Sequence, residues 1–274
     1  MSRATTNKPT KKKRPTWWRW LRRVLIGLGV LLLALALLLL VLYVVVDQPR
    51  PQDEASAAAR AQAEALTTRV LAAYNHAAWQ RTGAVRWTFR GAREHLWDRS
   101  RGLVQVRWKH NEVLLRTADK HGLALVSGKA QSGVVRAALL RKAYRMWIND
   151  SFWLNPLRTL RDRGVRRSMA RDEGGKRGLL VRYGSGGVTP GDAYLWFIDK
   201  TSGLPTAFRM WVGILPVGGL RVSWSGWQTL ASGARVATHH EAGPLSLDLT
   251  HVAGAATLRE LLAGKPDPFA RLFR

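Results

Sequence analysis

The chain has 274 residues, of which 46% are hydrophobic and 23% charged, as is typical of one or two globular domains with an apolar core. It contains no cysteine, which excludes disulfide bonds, thiol chemistry, cysteine-bound zinc and the lipid-modified cysteine of a lipoprotein. The formal net charge of +26 favours anionic partners, either a membrane surface or nucleic acid.

The N-terminal region predicts a membrane anchor. Residues 1–23 carry nine Lys or Arg residues and no acidic residue, and we expect a basic cytoplasmic tail there. Residues 24–46 follow with no charge and no proline. As an α-helix this segment is about 34 Å long, enough to cross a hydrocarbon core of about 30 Å. We therefore predict a transmembrane helix over residues 24–46.

The charges on either side of this segment predict its orientation. The basic residues lie before it, and the residues after it are of mixed sign, so the positive-inside rule places the N-terminus in the cytoplasm. The sequence thus predicts a single-pass protein of the inner (cytoplasmic) membrane with a periplasmic C-terminal domain. A cleaved signal peptide is the alternative, although its apolar region is normally only about 7–15 residues long.

Residues 47–80 are predicted to form a linker and a first helix. Pro49 and Pro51 interrupt regular structure after the apolar segment. Residues 53–80 are rich in alanine, and their apolar residues recur with roughly a 3.6-residue period. This helix is either a stalk or the first helix of the domain that follows.

Residues 81–274 are predicted to form one β-rich domain. From Gly83 the apolar period changes to two: Val85, Trp87 and Phe89 alternate with polar residues, as in half-buried antiparallel strands. Glycine-rich turns, including one at residues 184–187, separate several strands. The predicted strands cover residues 85–90, 93–98, 104–108, 112–117, 121–126, 177–183, 193–199, 205–212, 220–226, 234–240 and 245–252.

Two helices interrupt the strands. Residues 134–147 show a helical stripe and lead into an aromatic loop at residues 149–156. Near the C-terminus, Thr257 is in position to cap a short helix over residues 258–263, with Glu260 completing a capping box.

The strand at residues 194–198 is apolar on both faces, so one face must be covered, and a helix is the expected cover. The predicted fold is therefore α+β and mostly β. An N-terminal transmembrane helix precedes a large antiparallel half-barrel sheet that is covered by helices. Such a curved sheet often holds a hydrophobic cavity.

The order of these elements, together with three segments, resembles a known group of proteins. The segments are residues 95–98 (HLWD), 147–154 (WINDSFWL) and 187–192 (GVTPGD). They resemble uncharacterised bacterial exported proteins with an outer-membrane lipoprotein-sorting (LolA/LolB-like) half-barrel fold, over roughly residues 60–255. The resemblance implies a concave apolar face that receives acyl chains. It does not imply which cargo is bound.

Aromatic and polar residues of these segments are the candidate ligand-binding residues, since a pocket combines many apolar walls with few polar groups. The alternative is that the two aspartates fix turns and that the tryptophans are ordinary core residues. The candidates are Trp97, Trp147, Asn149, Asp150, Trp153, Asp192, Trp196 and Trp211.

No catalytic, metal or cofactor site is expected. His95 and Asp98 would point to opposite faces of a strand, which argues against an acid–base pair. His239 and Glu241 share a face but have no third metal ligand at short spacing. Nucleotide-binding and serine-hydrolase motifs are absent from the sequence. The basic run from Arg158 to Arg171 is either a solvated surface or a site for phospholipid head groups.

These patterns predict a membrane-anchored, carrier-like protein that is not an enzyme. Its expected partners are membrane lipids or lipoprotein acyl chains, with other envelope proteins as further candidates and no nucleic acid. Two alternatives stay open: an envelope hydrolase that uses His95 or His239, and a structural module that binds partner proteins and has a filled barrel.

Overall fold

A computed structural model of the chain describes residues 16–184 and 191–273. The chain divides into two compact units, residues 1–47 and residues 48–274. The predicted basic tail lies outside the described residues up to residue 15, and the predicted turn at residues 184–187 lies outside them from residue 185.

The first unit contains helix α1, Thr16–Val46. Within the described part of the chain, α1 is the one helix that is long and apolar enough to cross a membrane, with Trp20–Leu38 as its most apolar stretch. The helix starts eight residues before the predicted span. Its length and composition suit a membrane anchor or a signal sequence.

The second unit is mainly antiparallel sheet, as predicted. Its helices are α2 (Ala57–Ala73), α3 (His76–Arg81), α4 (Gly133–Leu154) and α5 (Leu258–Leu262). Its strands are β1 (Ala84–Phe89), β2 (Arg93–Asp98), β3 (Leu103–Trp108), β4 (Asn111–Arg116), β5 (Gly122–Val126), β6 (Lys129–Ala130), β7 (Val165–Arg171), β8 (Arg177–Tyr183), β9 (Ala193–Ile198), β10 (Pro205–Trp211), β11 (Leu220–Ser223), β12 (Gln228–Thr229), β13 (Arg235–Val236), β14 (His239–Ala242) and β15 (Leu245–Ala255). Two 3₁₀ turns are Pro156–Thr159 and Pro268–Leu272.

The strands form two principal sheets that meet along one edge. The larger sheet has the order β14-β15-β1-β2-β3-β4-β5-β6, and the smaller one the order β11-β10-β9-β8-β7. Close to the β11 and β14 edges, the Ser225 amide donates to the His239 carbonyl at 3.0 Å. The edges at β6 and β7 do not pair with each other, so the described strands form an open, curved wall and no closed barrel. The predicted fold class is confirmed.

One core fills the space that both sheets face. Trp79, Trp87, Trp196 and Trp224 each expose 2% of their surface or less, and they belong to one continuous apolar cluster. Replacing a buried aromatic residue by alanine typically costs about 3–5 kcal/mol, so these side chains dominate the stability of the domain. The concave face is largely filled by the protein itself.

Helix α4 is longer than predicted, because residues 149–154 are helical and not a loop. Pro156 disfavours helical backbone only at Asn155, and the helix ends just before that residue. Asn149, Asp150 and Trp153 are therefore helix residues. Asp150 lies on the same buried stripe as Trp147 and Leu154.

The predicted helix over residues 53–80 is also corrected. Ser56 caps α2 by accepting a hydrogen bond from the Ala59 amide at 3.1 Å, so residues before Ser56 are outside the helix. Asn75 has a left-handed backbone, φ 59°, which separates α2 from α3.

Residues 48–54 cross the outer face of the smaller sheet, and we call this segment the strap. The Gln48 amide donates to the Gly218 carbonyl at 3.0 Å, and the Glu54 amide donates to the Met169 carbonyl at 2.8 Å. Asp53 bonds to Ser168 and Arg182. The outer face of the smaller sheet therefore meets an extended segment, whereas α4 contacts the inner face of β9 through Phe152 and Tyr194, whose rings are 4.9 Å apart.

Strand β7 was not predicted, because its arginines indicated only a basic run. The strand predicted at residues 234–240 is instead two short strands, β13 and β14. The C-terminal helix is confirmed as α5, with the Glu260 amide donating to the Thr257 hydroxyl at 3.2 Å. Together with the turn at Pro268–Leu272, α5 covers the outer face of the larger sheet.

Candidate ligand-binding site

Four of the predicted tryptophans line or fill the concave face. Trp97 of β2 and Trp147 of α4 pack edge to face, with ring centroids 5.2 Å apart. Trp153, the last residue but one of α4, stacks on Trp224 with centroids 5.8 Å apart. Trp196 is fully buried against Trp224 at 5.3 Å. Of these, Trp97 and Trp153 retain partial exposure.

Two predicted residues lie elsewhere. Trp211 belongs to the outer face of the smaller sheet, where its indole N–H donates to the Gln48 carbonyl of the strap at 2.7 Å. Asp192 accepts a hydrogen bond from the Gly213 amide at 3.0 Å. The structure does not bring these two residues to the aromatic wall formed by Trp97, Trp147 and Trp153. Residues 187–190 of the third resemblance segment lie outside the described residues.

Asp150 is the centre of a buried polar cluster, which we call the Asp150 cluster. Arg93 donates two hydrogen bonds to its carboxylate, at 2.7 and 2.8 Å. His95 lies 2.7 Å away through Nε2, and the Asn149 amide nitrogen donates at 2.8 Å. Alternation along β2 places Arg93 and His95 on the same inner face. The cluster therefore joins helix α4 to strand β2.

The charge states in this cluster follow from opposing effects. Burial pushes the pKa of Asp150 upward, but hydrogen bonds from His95 and Arg93 outweigh burial and hold this pKa below its ordinary value. Burial lowers the pKa of His95, although Asp150 opposes that shift. These directions describe a carboxylate neutralised by Arg93 and a neutral imidazole that donates Nε2–H to it.

A carboxylate beside an imidazole can serve as a general base, and in this structure the pair also joins α4 to β2. The His95 ring stacks on Trp87 with centroids 4.5 Å apart, and within the described residues its buried Nδ1 atom has no hydrogen-bond partner. As expected, Asp98 points to the other face, where it pairs with Arg101 at 2.6 Å. The pairing of His95 with Asp150 was missed in the sequence, because the partner is distant along the chain.

The two halves of α4 differ sharply in burial. Its five buried residues all lie between residues 143 and 154. In residues 133–144, which we call the lid, Val134 and Val135 are 82% and 53% exposed. The lid begins at Gly133, whose φ is +54°, and Ser132 makes no side-chain capping bond. The first turn of the lid is therefore weakly held, whereas Ala143 near its end is buried.

The lid lies over strands β3, β4 and β5 of the larger sheet. Leu139, Leu140 and Tyr144 are partly buried against the common core, which includes Trp108 and Val113 below them. Two lysines lie where the lid meets the sheet: Lys142 is 5.7 Å from the centroid of the Trp108 ring, and Lys120 is 4.7 Å from that of the Tyr144 ring. The contact between the lid and the sheet thus combines apolar side chains with cations at its margin.

Two surface cavities lie away from the aromatic wall. One of about 370 Å³ opens on the outer face of the larger sheet beside Arg86, Glu94 and Gln105. Another of about 340 Å³ lies near His110 and Asn111. The lining of the first also includes Leu96 and Leu262, whereas that of the second is mainly polar. Among the described residues, no group of three or more His, Asp or Glu side chains is placed to hold a metal ion.

Comparisons with known proteins add little. No family model matches the sequence, and no curated protein matches it. Among solved structures, the chain is similar to the crystal structure of a DUF1329 family protein from Desulfovibrio piger, with a TM-score of 0.36 and 10% identity, covering 71% of this chain and 96% of that chain. A similarity this distant assigns neither a function nor a site. The sheet-rich fold expected from the sequence is present, and the lipoprotein-sorting part of the resemblance stays a prediction.

Asp150→Asn is expected to lower the free energy of unfolding by about 3–5 kcal/mol, because Arg93 then keeps its charge beside a neutral amide. Chemical denaturation followed by tryptophan fluorescence measures this change. The matched control is Asp119→Asn, which breaks an exposed pair with Arg116 and should change stability little. Equal effects of the two substitutions would contradict the role assigned to the Asp150 cluster.

Stability is also expected to fall as the pH drops from about 6.5 toward 4. Burial between Trp224 and Trp153 lowers the pKa of His240 to about 4, whereas an unfolded histidine titrates near 6.5. The unfolded chain therefore binds more protons in this window, at a cost on the order of 3 kcal/mol by pH 4. Denaturation across this range should show a shallower fall for His240→Phe than for the exposed control His121→Gln. Parallel curves would refute the assignment.

Proposed function

We propose that this protein is a membrane-anchored periplasmic module that binds the acyl chains of lipids or lipoproteins between the lid and the larger sheet. The observation that carries the proposal is the uneven attachment of α4. Its C-terminal half is fixed by the Asp150 cluster and the aromatic core, whereas Val134 and Val135 in its N-terminal half are exposed.

Because the concave face is filled, a ligand would enter by displacing the lid and not by entering an open cavity. Each buried methylene contributes about 0.8 kcal/mol, so a dozen methylenes supply roughly 10 kcal/mol. Lifting the lid would uncover Trp108 and Val113 as well as half-exposed side chains such as Leu139 and Tyr144. A bound acyl chain would cover these side chains in place of the lid, and its own burial would offset the opening.

The anchor supports the location in this proposal. Helix α1 is long enough for a membrane span, and the basic residues that precede it favour a cytoplasmic N-terminus. The domain would then lie on the periplasmic side, beside the source of its ligands. A tethered domain would hand on its cargo at the membrane surface, in contrast to a soluble carrier.

A filled structural module that binds envelope proteins is the second candidate. It is favoured by the complete burial of Trp79, Trp87, Trp196 and Trp224, which need no ligand to explain them. It differs from the first candidate in one respect: the lid would stay closed in the presence of lipid.

Photolabelling of the full chain in nanodiscs tests acyl-chain binding. A monoacylglycerol with a photoreactive 16-carbon chain is expected to label the lid and strands β3–β5, in addition to α1. Val135→Asp should reduce labelling of the lid, because a carboxylate opposes contact with an acyl chain. Leu245→Asp is the matched control, since Leu245 is also an exposed apolar residue, at 68%, and lies on β15. Labelling confined to α1 would rule out the proposal in favour of the filled module.

Reporter fusions test the location. Alkaline phosphatase fused to the C-terminus is expected to be active and to fractionate with membranes, because α1 exports the domain and stays attached. A chain that begins at Gln48 is the control and should leave the enzyme inactive. A soluble product whose mass lacks residues 1–46 would show a cleaved signal peptide, and activity without α1 would contradict the topology.

A further inference from the structure

Two arginines lie beside one tryptophan at the end of the aromatic wall. The guanidinium carbon of Arg99 is 5.5 Å from the Trp97 ring centroid, and that of Arg158 is 5.4 Å from it. Arg99 follows β2 directly, and Arg158 lies in the 3₁₀ turn after α4. Both side chains are half-buried. The fold thus gathers two cations around Trp97.

Neither arginine has a carboxylate partner among the described residues. Arg99 donates to the backbone carbonyls of Trp79, at 2.5 Å, and Thr82, and its Nε atom is buried without a partner. Arg158 makes no hydrogen bond within the described chain, and its Nε atom is also buried. Arg93, by contrast, is fully engaged with Asp150.

The surroundings do not neutralise this pair of arginines. Burial, and next the charge of Arg158, lower the pKa of Arg99 to about 10, and burial lowers the pKa of Arg158. Burial raises the pKa values of Tyr74 and Tyr183, so both remain neutral hydroxyls. Asp162, which is exposed, acts on Arg158 only from a distance. Partly desolvated cations without a counter-charge are costly unless an anion joins them.

A continuous aromatic path connects these arginines to the lid. Trp97 contacts Trp147 at 5.2 Å, and Trp147 contacts Tyr144 of the lid at 5.7 Å. A head group at the arginines would therefore have its acyl chain directed along the wall toward the lid.

We infer that Arg99 and Arg158 bind the phosphate or carboxylate oxyanion of an amphiphile whose acyl chain lies under the lid. Guanidinium groups suit this task because their planar donors match such oxyanions. The inference rests on the proposed function and names its ligand class as anionic amphiphiles. Free phosphate presents the same chemistry to the arginines, so it is one arm of the test.

Competition against the photoreactive monoacylglycerol, with the full chain in zwitterionic nanodiscs, tests the inference. The competitors are palmitoylglycerol and its 3-phosphate, which share one acyl chain and differ only in the anionic group. The phosphate is expected to compete at about tenfold lower concentration, as a charge-assisted pair of hydrogen bonds implies. Arg158→Gln should abolish this preference, and Arg158→Lys should restore part of it. Arg163→Gln removes the same charge from an exposed neighbour and should leave the preference intact.

Arg158→Gln is expected to fold, because the Arg158 side chain makes no hydrogen bond within the described residues that the substitution would break. Thermal unfolding checks this.

Equal competition by both lipids overturns the inference and leaves the proposed function standing. A preference that survives Arg158→Gln, or that is lost in Arg163→Gln, also overturns it. If neither lipid competes, but inorganic phosphate raises the melting temperature only when Arg158 is present, the oxyanion site is real. In that case its ligand is free phosphate, and the amphiphile is overturned together with the proposed function.

Discussion

The buried carboxylate of Asp150 is the interaction on which the arrangement of helix and sheet depends. An isolated ionised carboxylate cannot be buried without a large desolvation cost, and this one is tolerated because Arg93, His95 and Asn149 all bond to it. These bonds fix one half of α4 to β2. The other half has no such polar attachment, and this contrast within one helix separates a firmly held segment from one whose first turn is exposed.

The packing of the aromatic core determines which part of the wall a ligand could reach. Trp196 and Trp224 pack against each other where the two sheets meet, so that region is closed by well-made contacts. Toward Trp97 and the lid, the same wall becomes partly exposed and its neighbours become cationic. The wall thus changes from a filled interior to a partly exposed margin with cations beside it. The number of aromatic residues in the sequence could therefore not show which of them are core residues and which could contact a ligand.

The sequence predicted the regular strands well, because β1 and β3 alternate apolar and polar residues and the strands from β1 to β5 are separated by short turns. It missed β7, because the arginines of this strand hide the two-residue alternation of apolar and polar side chains. The polar side chains of β7 have partners in the fold: Arg167 pairs with Glu64, and Ser168 bonds to Asp53 of the strap. It assigned residues 149–154 to a loop, because Asn, Asp and Ser favour loops when no distant partner is known. It placed Trp211 with Trp196, although β10 turns Phe208 inward and Trp211 outward. The arginines at Trp97 could not be predicted, since they meet only through the fold.

The strap leaves almost no free chain between α1 and the folded domain. Helix α1 ends at Val46, and the Gln48 amide is already bonded to the Gly218 carbonyl. If α1 stays in a bilayer, so short a connection would keep the effective concentration of the domain at the lipid surface high. Even a weak intrinsic affinity for lipid would then give high occupancy.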